Sequence, residues 1–327
     1  MDNCIYKVCS FIWRNTFLKW YRDSLERKDE RYWAEKKISR GNEYADKTFY
    51  IIRRRDVYCG ICSIMLTTLA NIDKAINNNY IPIVDMQNSF NIYLTSEDVG
   101  RVNSWEYFFK QPYGFGLDDI TKSRNVIIGS GAVPEMFPYL NIDFLMGRTP
   151  DFSYWSDLAK KSFVLSSEAK EIVEAEYARL FGEKTRVLGA KFRGTDYISG
   201  KPKNHPIQPS PVQALDKCIE VFREQGCDKI FLSTEDLDIY NVFREYFGND
   251  LVTLKQEYQE YCGGSIGREQ YENNTDVKSQ GMEYLVTTML LAQCDCLCAG
   301  CVSGTVIALL MSQGYDYKYL FDLGVYE

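Results

Sequence analysis

The sequence predicts an α/β fold built on parallel, doubly wound sheets in two units, and three observations carry that expectation. Short apolar runs bounded by turn residues, such as "IPIVDM", "RVLGAKF" and "KIFLSTED", alternate with amphipathic stretches of helical period. Strands that alternate with helices pair in parallel. The 327 residues exceed one ordinary core and suit two units. Polar residues collect where the apolar runs end, which is where open α/β sheets bind ligands.

In chain order, residues 1–48 read as a basic helical arm, 49–183 as a first α/β unit and 184–327 as a second. "FYIIRRR" reads as a short strand. A glycine turn at Gly60 then leads into a helix with Ile64, Leu66, Leu69, Ile72 and Ile76 at helical spacing. "NNNY" ends it, "IPIVDM" is a buried strand, "NSWEYFFKQPYGFG" an aromatic loop and "KSRNVIIGSG" a further strand. "SSEAKEIVEAEYARLFG" is a helix with Ser166 or Ser167 as its cap. In the second unit, "RVLGAKF" and "KIFLSTED" are strands, with the helix "SPVQALDKCIEVFREQG" between them and a proline at its start. "LDIYNVFREYFG" is a helix, "LVTL" a short strand and "GMEYLVTTMLLAQC" a helix. "DCLCAGCVSGTVIALLMSQG" is a strand, a Gly/Ser turn and a helix, and "KYLFDLG" a closing strand.

The balance of 45% hydrophobic and 25% charged residues is that of a soluble globular chain. The 24 tyrosines suit sugar and nucleotide surfaces or an aromatic core. Charge is uneven: residues 1–55 hold 14 Lys/Arg against 8 Asp/Glu, and the rest 24 against 37. An acidic body repels phosphate backbones, which argues against a nucleic-acid partner. Residues 1–22 mix Trp13, Phe17 and Trp20 with Lys7, Arg14 and Lys19, the pattern of an interfacial helix on an anionic membrane or of a helix packed on the body. No run approaches the roughly 18–20 apolar residues of a bilayer span, and no signal peptide is legible. The expectation is a cytoplasmic protein, peripheral to the inner face of a membrane, with reduced thiols. Cys59–Cys62 and Cys298–Cys301 have a spacing that zinc can use. The alternation of Cys294, Cys296 and Cys298 fits buried strand residues better, so no metal is expected.

Three clusters end the second unit's strands. In "FRGTD", Arg193 can fork onto a diphosphate with Thr195 and Asp196 beside it, or pair with Asp196 to hold the loop. "CVSGTVIALL" puts Ser303, Gly304 and Thr305 at a helix start, a phosphate seat or a simple cap. "STEDLDIY" offers Glu235 and Asp236 to a base or ribose, or as an N-cap with acidic first-turn residues. His205 is the chain's one histidine. It is a candidate general base, or a structural loop residue. Asp85, at the end of "IPIVDM", is an alternative base or acceptor ligand. Lys201 and Lys203 add positive potential for an anionic ligand. Neither a Walker A nor a dinucleotide-binding glycine motif occurs, which leaves kinase and dehydrogenase readings unsupported.

"GAKFRGTDY" resembles the H-x-R-R-x-D motif of the α1,6-fucosyltransferase superfamily, which includes nodulation-factor and protein O-fucosyltransferases. "LSTEDLDIY" is similar to that family's second acidic motif, and "AQCDCLCAGCVSGTVIALL" to its third. The resemblance covers 187–327 most clearly. The first half is similar to a bacterial branch found among surface-polysaccharide enzymes. It implies a GT-B fold of two Rossmann-like domains, and an inverting, metal-independent transferase that needs no cofactor. The implied donor is GDP-fucose, and the implied acceptor a glycan or lipid-linked glycan. It implies that Arg193 holds the donor diphosphate, that Asp196 supports it, and that Ser303 contacts phosphate. Glu235 or Asp236 would lie near the nucleoside, and Glu283 would match an acidic base-binding position. Lys191 stands where the motif has histidine and Gly194 where it has the second arginine. Those departures leave open another nucleotide sugar, a new contact from Lys191, or a non-catalytic nucleotide-sugar-binding or scaffold protein of a polysaccharide assembly system.

Overall fold

The computed structural model describes residues 33–327 apart from 57, 96, 133, 135–139, 183–184 and 255–275, with the backbone alone at 195, 196 and 199. The interfacial pattern at 1–22 lies outside the described residues. The first sheet holds β1 (Lys36–Ile38), β2 (Glu43–Ile52), β3 (Ile81–Val84) and β4 (Ser123–Ile128) in the order β1-β4-β2-β3. β2 is parallel to both β3 and β4, and β1 is antiparallel to β4. Part of the expected helical arm is therefore strand. "KKI" and "EYADKT" belong to β1 and β2, and their charged side chains are tolerated because this end of the sheet is exposed. A register shift between Glu43 and Thr48 lets β2 run on past β4's regular pairing.

The second sheet holds β5 (Val187–Lys191), β6 (Lys229–Ser233), β7 (Leu251–Val252), β8 (Cys296–Ala299) and β9 (Tyr317–Leu320), all parallel, in the order β7-β6-β5-β8-β9. From β5 the chain winds outward through β6 and β7, then returns to start again on the other side with β8. The switch point therefore lies between β5 and β8, and a crevice opens beyond their carboxyl ends. Both strands are buried along their whole length.

The helices that matter for the site are α1 (Ile61–Asn77), α2 (Trp105–Phe108), α3 (Phe152–Ser162), α4 (Ser167–Leu180), α5 (Thr195–Gly200), α6 (Pro211–Glu224), α7 (Leu237–Phe247), α8 (Val277–Leu291) and α9 (Ser303–Met311). The aromatic loop thus contains a helical turn, α2, because Trp105, Phe108 and Phe109 all bury there. Starts follow local chemistry. Ser166 accepts from Ala169 N at α4, and Ser210 forms a capping box with Gln213 ahead of Pro211 at α6.

The two sheets share one core. A single cluster runs from Tyr50 and Ile52 through α1, α8 and α9 to Leu297 and Ala299. α9 is apolar all round, with Val306–Leu310 buried, as a helix wedged between layers must be. The far face of the second sheet has its own cluster of Leu188, Ala190, Phe192, Cys296 and Cys298. The cysteines act there as small apolar side chains. Cys296 and Cys298 point one way and Leu297 and Ala299 the other, as strand alternation requires. Among the described residues no helix is long and apolar enough to cross a membrane.

Candidate active site

Strand periodicity builds the first part of the site. Ala190 and Phe192 turn into the far-face cluster, so Lys191 and Arg193 share the opposite side. Phe192 is fully buried between Phe243 and Phe321 and donates its backbone N–H to Ser233 O at 3.1 Å. That anchor fixes the departure of Arg193 from β5. The guanidinium then sits 4.8 Å above the Tyr197 ring, and its Nε lies 3.7 Å from Glu235 Oε1. This contact joins the ends of β5 and β6.

Tyr197 lies on α5, the short helix that follows. Its hydroxyl is 3.2 Å from His205 Nδ1, and the two rings meet edge to face at 5.6 Å. Arg193, Tyr197 and His205 therefore form one continuous stack at the end of the central strand. Burial and the nearby Arg193 charge both hold His205 below its ordinary pKa of 6.5. The imidazole is neutral at neutral pH. A hydroxyl on Nδ1 fixes the ring and leaves Nε2 as the nitrogen that can exchange a proton with a ligand.

The loop carrying His205 is strapped by the chain's own end. Asn204 N donates to Tyr326 O, Tyr326 N to His205 O and Ile207 N to Gly324 O, each at 2.9 Å. Pro206 and Val325 form an antiparallel bridge.

The helix start after β8 supplies the second part. Val302 occupies the N-cap of α9 and makes no side-chain cap bond, so Ser303 is the first helical residue and not the cap. Thr305 is fully buried, and its hydroxyl donates to Gly300 O at 2.7 Å, which commits that side chain to the turn. A Cβ on Gly304 would stand 2.8 Å from Tyr284 Oη, so only glycine lets the backbone come this close. Lys191 lies on the same wall, 2% exposed, with its Nζ 4.9 Å from the Tyr284 ring.

The other predicted residues divide. Asp236 caps α7, accepting from Ile239 N at 3.0 Å, so its capping reading holds. It also explains Gly194, where any Cβ would overlap the Asp236 carboxylate. Glu283 lines an open groove of about 960 Å³ with Tyr240, Leu254 and Lys278. The side chains of Thr195 and Asp196, which open α5, lie outside the described residues. Asp85 follows β3. Its carboxylate accepts from Gln87 N, Asn88 N and Asn88 Nδ2 at 2.9–3.0 Å, which holds its own turn. Tyr197 and Tyr284 were not foreseen. Tyr197 could have been found, two residues beyond the "RGT" of the motif. Tyr284 reaches Lys191 from a helix more than 90 residues downstream, with no local signal.

One expected result follows from Gly194. Gly194→Ala destabilises the fold by about 2 kcal/mol, because the methyl displaces the Asp236 carboxylate and its cap. Thermal unfolding of Gly194→Ala, Asp236→Ala and the double variant tests this coupling. Additive losses would refute it.

No protein-family profile matches the sequence, and no curated protein does. Solved structures do. NodZ α-1,6-fucosyltransferase co-crystallised with GDP superposes with a TM-score of 0.51 at 15% identity, covering 81% of this chain and 93% of that one. The fold is that of the GT-B fucosyltransferases. POFUT1 in its apo form gives 0.49 at 11% identity over 86% of this chain and 99% of that one. A GDP-bound variant of FUT1 from Arabidopsis thaliana gives 0.47 at 10%, over 94% and 75%.

Proposed function

We propose that the chain is an inverting glycosyltransferase that moves fucose from GDP-fucose to a glycan or lipid-linked glycan in polysaccharide biosynthesis. The observation that carries this reading is the Arg193–Tyr197–His205 stack at the switch point of the second sheet, beside an α9 start with no side-chain cap. Arg193 and the α9 backbone N–H groups offset the charge that grows on the departing diphosphate. His205, neutral and oriented by Tyr197, takes the acceptor's hydroxyl proton as that oxygen bonds to the sugar's anomeric carbon. The carbon–oxygen bond to phosphate breaks on the opposite face, and its electron pair leaves with the diphosphate. Asp85 is the poorer base because its carboxylate already accepts three hydrogen bonds. Residues 184–327 hold the donor in this reading, and 49–183 face the acceptor. The basic arm of residues 1–22 keeps the enzyme at the cytoplasmic face of a membrane. The reading needs no metal, because Arg193 and the α9 backbone N–H groups take the role of offsetting the leaving group's charge.

Thermal shift of the full chain with GDP, UDP, CDP, ADP and dTDP tests this. A ligand of the folded state at a hundredfold excess over its Kd stabilises by about 2.7 kcal/mol. A GDP-selective shift supports the reading, selectivity for another nucleotide changes the donor, and no shift overturns it. The pH profile supplies a second check. A base whose pKa is depressed stays active below pH 6.5, so the acid limb of kcat falls beneath that value. The limb disappears in His205→Gln, which retains only residual turnover.

A further inference from the structure

Lys191 is a cation in an unusual place. It ends the central strand β5 and is 2% exposed, and its ammonium makes no hydrogen bond or ion pair among the described residues. Its ammonium lies over the face of Tyr284. Its Cε lies 3.4 Å from where a Cβ on Gly304 would be, so it comes up against the first turn of α9. That helix start has backbone N–H groups and no side-chain cap. A buried cation pressed on the positive end of a helix is costly unless an anion joins them. The Tyr284 ring offsets only part of that cost, and a methionine of the same length would fill the space without any charge.

The geometry points to Lys191 as a direct ligand of the donor's diphosphate, gripping it together with Arg193 and the α9 N-terminus. The inference rests on the glycosyltransferase reading and adds a residue to it. It also gives binding a proton signature. Burial holds the ammonium below its ordinary pKa of 10.5. Of the groups facing it, Glu235 beyond β6 and Cys62 on α1 favour the charged form, and Arg193 opposes it. Tyr284 on α8 presents its ring, and α9 its N–H groups. An arriving diphosphate favours the charged form, so the complex takes up protons at alkaline pH.

Calorimetric titration of the full chain with GDP, in buffers of different ionisation heat between about pH 7 and pH 10, tests this. For Lys191→Met the expected results are a Kd at least tenfold weaker and loss of the wild-type proton uptake. The uncomplexed variant is expected to melt no lower than wild type. Lys191→Gln serves as a second variant that keeps a polar end. Wild-type Kd and proton count in both variants would overturn the role of Lys191 and leave the glycosyltransferase reading standing. A lower melting temperature with wild-type Kd would make it a packing residue. A wild type that binds none of the five nucleoside diphosphates would remove both.

Discussion

Arg193→Ala lowers kcat/KM for donor turnover by about 10²–10³-fold, which is about 3–4 kcal/mol of transition-state stabilisation. The guanidinium is held from two sides, by the Tyr197 ring at 4.8 Å and Glu235 at 3.7 Å. It therefore meets the diphosphate already oriented, and the reaction does not have to order it. Arg193→Lys recovers part of the loss at most, since an ammonium neither forks onto two oxygens nor stacks on a ring in the same way. The single histidine adds a readout independent of turnover. Arg193 is one cause of the depressed His205 pKa, burial being the larger. Its removal therefore moves that pKa upward, toward 6.5. NMR titration of the one imidazole measures the shift without assignment. An alanine variant with wild-type kcat/KM and an unmoved imidazole would show that the stack is structural.

The second sheet was legible because each of its strands is an apolar run closed by polar residues. Arg193, Glu235 and Ser303 were legible because carboxyl ends of parallel strands must converge. What escaped came from other causes. "EYADKT" carries three charges in six residues and reads as helix or loop, yet the exposed end of β2 that it forms leaves its carboxylates in water. Gly194 looked like a lost arginine. In the structure it is the space the Asp236 carboxylate needs. Lys191 owes its setting to Tyr284 and Gly304, about 90 and 110 residues away. Local pattern carries no such information, because tertiary packing sets those neighbours.

The last element legible in the sequence is the closing strand "KYLFDLG", and the residues after it have no role there, yet their removal is expected to cost catalysis. A protein ending at Leu323 loses roughly 10–10²-fold in kcat, in the direction of His205→Gln, with donor Kd unchanged. The loop from Lys201 to Pro209 includes two residues in the left-handed region, Lys201 at φ 40° and Asn204 at φ 62°. Neither is glycine, so the conformation persists only where neighbours impose it. The backbone bonds from residues 324–326 are that constraint. Without them the imidazole is no longer set against Tyr197, and a displacement of about 1 Å at a reacting group can cost 10²-fold. Donor affinity survives because the Tyr197 ring and Glu235 hold Arg193, and Thr305 on Gly300 O holds the α9 start. The buried Leu320 and Phe321 remain, so the fold stays intact. In the truncated protein the imidazole is better hydrated, and its pKa rises toward 6.5. A truncation that leaves both kcat and the imidazole titration unaltered would mean that His205 is held by something other than the tail. A truncation that moves the titration and leaves kcat untouched would remove His205 from catalysis and return the role of base to Asp85.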